Sequence, residues 1–263
     1  MDAIITAGGV ISPEDPLLAL TGVAKKALIP LAGRPMVNWV VNALVGSGLV
    51  EHIVIVGLKP SQIEPNRFPV HYVDSVGGIV DNILTAFDRL KEINPSTKKV
   101  LISSSDIPLI TSASIQGFVA ECGAQEADVY YAIVEKETME SRFPESKRTF
   151  VPFKNGRYCG GDIFLADVEA PVKADLDLLR TLTGHRKNYW SQVRLLGLKF
   201  IFRFLLGIMT TEEAARRGSE ILNFDTRGVV TRFAELGMDL DKPRQYQMIR
   251  AELEKREARL RQA

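Results

Sequence analysis

Short apolar runs alternate with segments of helical period through the first half of this chain, and that alternation limits its fold more than any other feature. "DAIITAGG" reads as a buried strand entering a glycine turn. "PMVNWVVNALVGSGL" spaces its apolar residues for a helix, with Pro35 near the start and glycines at the end. "EHIVIVG" is a second apolar strand, "VHYVD" a weaker third, and "GGIVDNILTAFDRLKEI" returns to helical period. "KKVLISSSD" is another buried strand with a helix over residues 111–122 after it, and "DVYYAIVEK" is a further strong strand. Strands alternating with helices build βαβ units and a mainly parallel sheet.

The second half reads differently. "RTFVPFKNGRYCGGDIFLAD" divides into two strands around "KNGR", which predicts a hairpin in place of another crossover. Helical stretches follow over residues 171–184, 189–208 and 211–221. "GVVTRF" is a late strand, "MDLDKPRQY" a turn, and residues 243–262 form a highly charged terminal helix. The hairpin and helices are expected to elaborate the first sheet and cover its active edge. The chain shows no internal repeat and no low-complexity linker. Its 263 residues are near the upper size for one hydrophobic core, so 1–263 is expected to be a single domain.

Bulk charge excludes one class of partner. With 25% charged residues and a net charge of +1, the whole chain is not an electrostatic match for nucleic acid. Cys122 and Cys159 stand far apart in no paired motif, which argues against a disulfide framework or a thiolate zinc site and suits a reducing cytoplasm. His52, His71 and His185 show no ligand spacing and are expected to be solvated or hydrogen-bonded. The N-terminus lacks a basic lead, and Gly8 and Gly9 cut its apolar run, so no signal peptide is expected. "LLGLKFIFRFLLGIM", residues 195–209, is too short and too interrupted by Lys199 and Arg203 to span a bilayer. It reads as a buried helix whose basic residues snorkel outward, the alternative being a basic amphipathic patch resting on a membrane surface.

Ligands of a parallel α/β sheet bind beyond the carboxyl ends of its strands, and two candidates fall there. In "TAGG", residues 6–9, glycines can bring backbone N–H groups close to a phosphate, although an ordinary strand-to-loop turn has the same composition. Lys25 and Lys26 follow just before an apolar segment and a glycine turn; either could fold back over that phosphate, or both could be solvated. Asp106 closes the strand "LISSSD", where Pro108 turns the chain. Its carboxylate is either a hard ligand for Mg²⁺ or a turn and cap residue. Asp239 and Asp241 in "MDLDKP" share a face if extended, and one of them could complete a metal site with Asp106.

The order "TAGG", "KKALIPLAGRPM", "SSSDIPLI", "MDLDKPRQY" resembles the MobA-like nucleotidyltransferases. The resemblance implies an α/β, Rossmann-like three-layer fold of the nucleotide-diphospho-sugar transferase (glycosyltransferase-A) type, with a mixed, mainly parallel sheet. It implies a nucleotide-binding half over residues 1–135 and an acceptor-side half over 136–263. Ala7, Gly8 and Gly9 would hold a nucleoside triphosphate, and Lys26, four residues before Pro30, would neutralise phosphate charge with help from Lys25. Asp106 and Asp241 would bind Mg²⁺, with Asp239 as understudy and Ser105 beside the nucleotide. Asp81 and Asn82 stand where relatives contact the base, although a helix N-terminus accounts for both. Tyr158, Gly160, Gly161 and Asp162 fall on the acceptor side.

One departure is visible. Relatives continue past the glycines with an arginine that grips phosphates, whereas no arginine stands here before Arg34, and Glu14 and Asp15 are acidic. The expected activity is Mg²⁺-dependent transfer of a nucleoside monophosphate to a phosphate-bearing small-molecule acceptor, releasing pyrophosphate, in the cytoplasm. The alternatives are a glycosyltransferase using a sugar nucleotide and a non-catalytic nucleotide-binding protein.

Overall fold

The computed structural model describes residues 1–65, 67–123, 126–184 and 207–262. Its frame is an eight-stranded sheet in the order β10-β7-β9-β6-β1-β4-β5, with β8 paired to β9. The strands are β1 (Asp2–Thr6), β4 (Ile53–Val56), β5 (Val70–Val73), β6 (Lys99–Ser104), β7 (Val129–Glu135), β8 (Val151–Phe153), β9 (Gly156–Asp167) and β10 (Thr226–Thr231). β1 runs parallel to β4 and β6, β4 to β5, and β7 to β10, while β9 is antiparallel to both of its neighbours. The sheet is therefore mixed and mainly parallel, and the carboxyl ends of β1, β4 and β6 share one edge.

Period-two alternation fills both faces of the sheet. Ile5 packs with Val37, Val40, Leu44 and Phe118 on one side; Ile4 packs with Ala86, Phe87 and Leu90 on the other. Helices α2 (Met36–Gly46) and α4 (Ser112–Cys122) supply the first layer and α3 (Ile79–Ile93) the second. Ile4 and Ile5 are fully buried, and each such side chain contributes about 1.5–3 kcal/mol relative to exposure. Thr111 caps α4 by accepting a hydrogen bond from Ser114 N at 3.0 Å, so the helix starts where its sequence signals it.

Helix α1 (Pro16–Thr21) occupies the stretch between the glycine turn and the lysine pair. Asp15 caps it through Leu17 N, Pro16 opens it, and Gly22 closes it at φ 68°. The acidic residues of this stretch are thus used locally, Asp15 as the cap and Glu14 as an acceptor for Ser12 Oγ. β2 (Pro30–Leu31) and β3 (Arg34–Pro35) form a hairpin around Ala32 and Gly33, both at positive φ. Beyond β7 come α5 (Lys136–Arg142) and, in place of one helix over 171–184, α6 (Ala170–Lys173) and α7 (Leu176–Gly184). α8 (Thr211–Leu222) and the terminal helix α9 (Pro243–Gln262) complete the described elements, and α9 buries Ile249 and Leu253 against Leu17, Leu31 and Met36.

The expected hairpin forms, yet its second strand does not cover the edge of the sheet. β9 is twelve residues long and inserts between β6 and β7. Hydrophobic periodicity specifies that a strand exists but not which neighbours it takes. Most of the apolar stretch 195–209, and His185 with it, lies outside the described residues. None of the described helices is long and apolar enough to cross a membrane. Cys122 and Cys159 are both buried and unpaired.

Candidate active site

Fifteen residues separate Gly9 from Lys25, yet the two meet. An antiparallel bridge joins Val10 to Lys25, Ile11 N donates to Ala24 O at 2.8 Å, and Lys26 N donates to Gly9 O at 3.1 Å. Helix α1 is thus a closed excursion, and the lysine pair returns to the end of β1. Ala7 N–H is already taken by Val56 O at 2.9 Å, so Gly8 and Gly9 remain the glycine-loop positions for a phosphate. Gly57, at φ 92°, lets the end of β4 press on this loop: a Cβ there would lie 2.5 Å from Gly8 Cα. Lys25 Nζ donates to Gly57 O at 2.7 Å, which puts an ammonium beside the loop that lacks the customary arginine.

Lys26 opens a short 3₁₀ turn and extends its ammonium to the ends of two other segments. Nζ lies 2.5 Å from Asp106 Oδ2 and 2.5 Å from Asp241 Oδ1. Burial works against the charged amine, but these two carboxylates outweigh it and hold its pKa well above the ordinary value. Burial also opposes charge on Asp241, and Lys26 reverses that, keeping the carboxyl below its usual range. Ser104 Oγ donates to Asp106 Oδ1 and fixes the carboxylate from its own strand. Ser105 is buried and donates its N–H to Thr6 O at 3.1 Å, a tie between β6 and β1.

The "MDLD" alternation sorts its side chains as the spacing of two predicts. Met238 and Leu240 are fully buried, while Asp239 and Asp241 turn toward the site. They then take different cations. Asp241 meets Lys26, and Asp239 forms a buried ion pair with Arg148 Nη1. Arg148 also donates from Nη2 to Gly160 O at 3.3 Å, and its Nε is buried without a partner. Burial pushes Asp239 up to about 6, with Arg148 opposing the rise and Asp241 adding to it.

Asp162 joins the same group from β9. Ile163 pairs with Ser103, so Asp162 lies one residue further toward the end of β6 that carries Asp106. Against β7 the register breaks: Tyr131 pairs with Phe164 and Ile133 with Gly160, leaving residues 161–163 opposite Ala132. Bulges of this kind re-aim a side chain at a site. Burial and then the charges of Asp106 and Asp239 push Asp162 up to about 7.

The remaining sequence candidates make local contacts. Asn82 accepts from Val76 N at 2.8 Å and from Ser75 Oγ at 3.2 Å, pinning the loop beside Gly8. Asp81 pairs with Arg180 at 2.9 Å on the surface. Tyr158 donates its hydroxyl to Asn155 O at 2.8 Å and closes the β8–β9 turn. Gly160 and Gly161 answer to packing: a Cβ on Gly160 would fall 1.8 Å from Tyr131 Oη, and one on Gly161 2.9 Å from Ala132 Cβ. Sequence reasoning missed Arg148 and Tyr131. A lone arginine in a connecting loop carries no spacing signal, and Tyr131 reads as one more residue of an apolar strand.

The donor set suits a hard divalent cation. Among the described residues, Asp106 and Asp241 meet Lys26, Asp239 meets Arg148, and Asp162 adds a fourth carboxyl to the group. Asp106 and Asp241 already converge on one ammonium, which acts as a stand-in cation. A second group, Asp2, Glu51 and His52, has ligand atoms within 4.8 Å of one another at the opposite edge of the sheet. Its atoms are satisfied internally: His52 N and Asn94 Nδ2 donate to Asp2, and the chain N-terminus pairs with Glu51 at 3.5 Å.

Comparison with known proteins bears on the family and the fold. A hypothetical transferase from Thermus thermophilus is 33% identical with a TM-score of 0.81, the match covering 93% of this chain and 98% of that one. A CMP:2-keto-3-deoxy-manno-octonic acid synthetase complexed with CTP shares the fold at 12% identity and a TM-score of 0.57, over 97% of this chain and 100% of that one. The bifunctional protein GlmU of Thermoanaerobacter pseudethanolicus is 32% identical over 97 residues, which span 36% of this chain and 20% of that protein. The fold is that of the nucleotide-diphospho-sugar transferases. The MobA-like NTP transferase domain matches residues 17–189, starting after the atypical glycine loop and ending before Asp239. On the sheet order, the converging carboxylates and this match together, the chain belongs to the MobA-like NTP transferase domain family.

Proposed function

We propose that the protein is a Mg²⁺-dependent nucleotidyltransferase that joins a nucleoside monophosphate to a phosphate-bearing small molecule and releases pyrophosphate. The observation that carries this reading is the position of Lys26: tied by its backbone to the glycine loop, it reaches the Asp106 and Asp241 carboxylates with its ammonium. A phosphate cradle, a cation and a cation-binding carboxylate pair therefore meet within one side-chain length. The CTP held by the synthetase of the same fold supports a nucleoside triphosphate as the first substrate.

Gly8 and Gly9 offer backbone N–H groups to the triphosphate, and Lys25 adds positive charge beside them. Asp106 and Asp241 would hold Mg²⁺, which would supply neutralisation of phosphate charge. Lys26 stabilises the charge that builds on the phosphate oxygens as pyrophosphate departs. The acceptor oxygen attacks the α-phosphorus in line with the leaving pyrophosphate. A phosphate acceptor is already ionised and needs no general base, so catalysis is positioning and electrostatics. The β9 bulge near Asp162, with Tyr131 stacked on Phe164 at 4.7 Å, supports reading Asp162 as an acceptor-side residue.

The test is pyrophosphate release with Mg²⁺, each of the four nucleoside triphosphates and a panel of sugar, polyol and cofactor phosphates. Release that depends on nucleotide, acceptor and Mg²⁺ supports the reading. Release of nucleoside diphosphate from sugar nucleotides, or tight nucleotide binding with no turnover across the panel, overturns it.

A further inference from the structure

The two carboxylates are anchored through their own segments, and the lysine reaches both across the site. Asp106 is held by Ser104 Oγ at its side chain and by Leu240 N at its carbonyl, 2.9 Å away. The backbone of Asp241 is held by Gln245 Oε1, which accepts from Asp241 N at 2.8 Å. Lys26 is tethered at its backbone to Gly9 O, and its ammonium sits at the end of a four-carbon stem of rotatable bonds. Its ammonium lies at the point where two carboxylate oxygens converge, 2.5 Å from each. That point is where the same oxygens would hold a hard cation. An ammonium and a divalent cation repel strongly at such range and cannot share it.

We propose that Lys26 is an exchangeable internal counter-ion. In the nucleotide-free protein its ammonium fills the divalent-cation position between Asp106 and Asp241, and cation entry displaces it toward phosphates held at Gly8 and Gly9. The inference rests on the reading that Asp106 and Asp241 hold the cation. It has a consequence for the order of events. Without phosphates the displaced ammonium loses two ionic partners and gains none, so the free protein resists metal. With phosphates in place the ammonium moves from one set of anions to another, so metal and triphosphate strengthen each other's binding. Linkage makes that coupling equal in both directions.

The experiment titrates nucleotide-free protein with Mn²⁺ and follows unbound Mn²⁺ by electron paramagnetic resonance. Wild type, Lys26→Met, Lys26→Gln, Lys26→Arg and the double variant Lys26→Met/Asp106→Asn are compared, with circular dichroism to confirm folding. Lys26→Met and Lys26→Gln are expected to bind Mn²⁺ at least about tenfold more tightly than wild type. Lys26→Arg, which keeps the charge, stays near wild type, and the double variant loses the gain. The Gln variant serves the same purpose if Met at this position does not fold. Equal or weaker binding by the neutral variants, with Asp106→Asn still lowering it, overturns the exchange and leaves the cation site standing. Mn²⁺ binding that Asp106→Asn does not change in the Lys26→Met background overturns the cation assignment itself, and so does the absence of binding by every variant.

Discussion

The backbone N–H of Leu240 donates to the carbonyl of Asp106 at 2.9 Å, and this hydrogen bond joins the two segments that carry the converging carboxylates. Residues 106 and 241 are distant in sequence, but the link leaves their side chains little freedom to separate. Asp106→Ala and Asp241→Ala should each lower pyrophosphate release by roughly 10²–10³-fold or more, the scale of losing one preorganised electrostatic contact. The Asp241 side chain is 54% exposed, so Asp241→Ala should change stability by less than about 1 kcal/mol. Pyrophosphate assays and urea melts on the same samples check both parts, and near-normal turnover of either variant would remove that residue from the site.

Asp162 gives the metal-free protein a pH signature. Its carboxyl titrates at about 7 in the folded chain against an ordinary 3.8, mainly because burial disfavours the charge. The folded state therefore holds a proton that the unfolded state has lost between those values, and stability falls as pH rises from about 4 to about 7. Asp162→Asn removes the penalty. It should stabilise the metal-free protein by on the order of 1–3 kcal/mol at pH 8 and change little at pH 4. Urea melts across that range test the sign; a destabilised variant at pH 8 would mean that the Asp162 charge is favourably paired.

Arg148 is a cation that offsets this acidic cluster from beside β9. Its pair with Asp239 is largely buried, at 15% and 12% side-chain exposure. Arg148→Met leaves Asp239 and Asp162 without their counter-charge and should cost about 3–5 kcal/mol at pH 8. The loss should shrink toward pH 5, because Asp239, already pushed up to about 6 by burial, then takes up a proton. Adding Asp239→Asn to Arg148→Met should recover more than half of it. Strict additivity of the two substitutions in equilibrium unfolding would show that the residues act independently.

The parts of this architecture that obey a local period were legible in the sequence. Ile4 and Ile5 announce β1 as a strand buried on both faces, and Pro108 marks the turn after Asp106. The alternation of Met238 and Leu240 with Asp239 and Asp241 gives the common face of the two carboxylates. What depends on pairing between distant segments was not legible. Nothing local says that Val10 will bridge Lys25, that β9 will insert between β6 and β7, or that Asp239 will pair with Arg148. The two glycines before Asp162 were visible, but the packing around them was not. A Cβ on either would come too close to Tyr131 or Ala132.

That last point can be tested at Gly160. A Cβ there would lie 1.8 Å from Tyr131 Oη and 3.0 Å from Cζ, inside van der Waals contact. Tyr131 is held by its stack on Phe164 at 4.7 Å, and burial followed by the Asp162 charge pushes its hydroxyl up to about 12. The ring cannot retreat without disturbing the bulge that aims Asp162. Gly160→Ala should therefore destabilise by about 1–3 kcal/mol, the usual cost of overpacking a filled core. Tyr131→Phe removes the atom in the way, so Gly160→Ala/Tyr131→Phe should recover much of the loss. The pair must be strongly non-additive, since each substitution changes the surroundings of the other. If Gly160→Ala alone is neutral in urea melts, the glycine is not a packing requirement. A variant that keeps its stability but loses turnover would return Gly160 to the acceptor site.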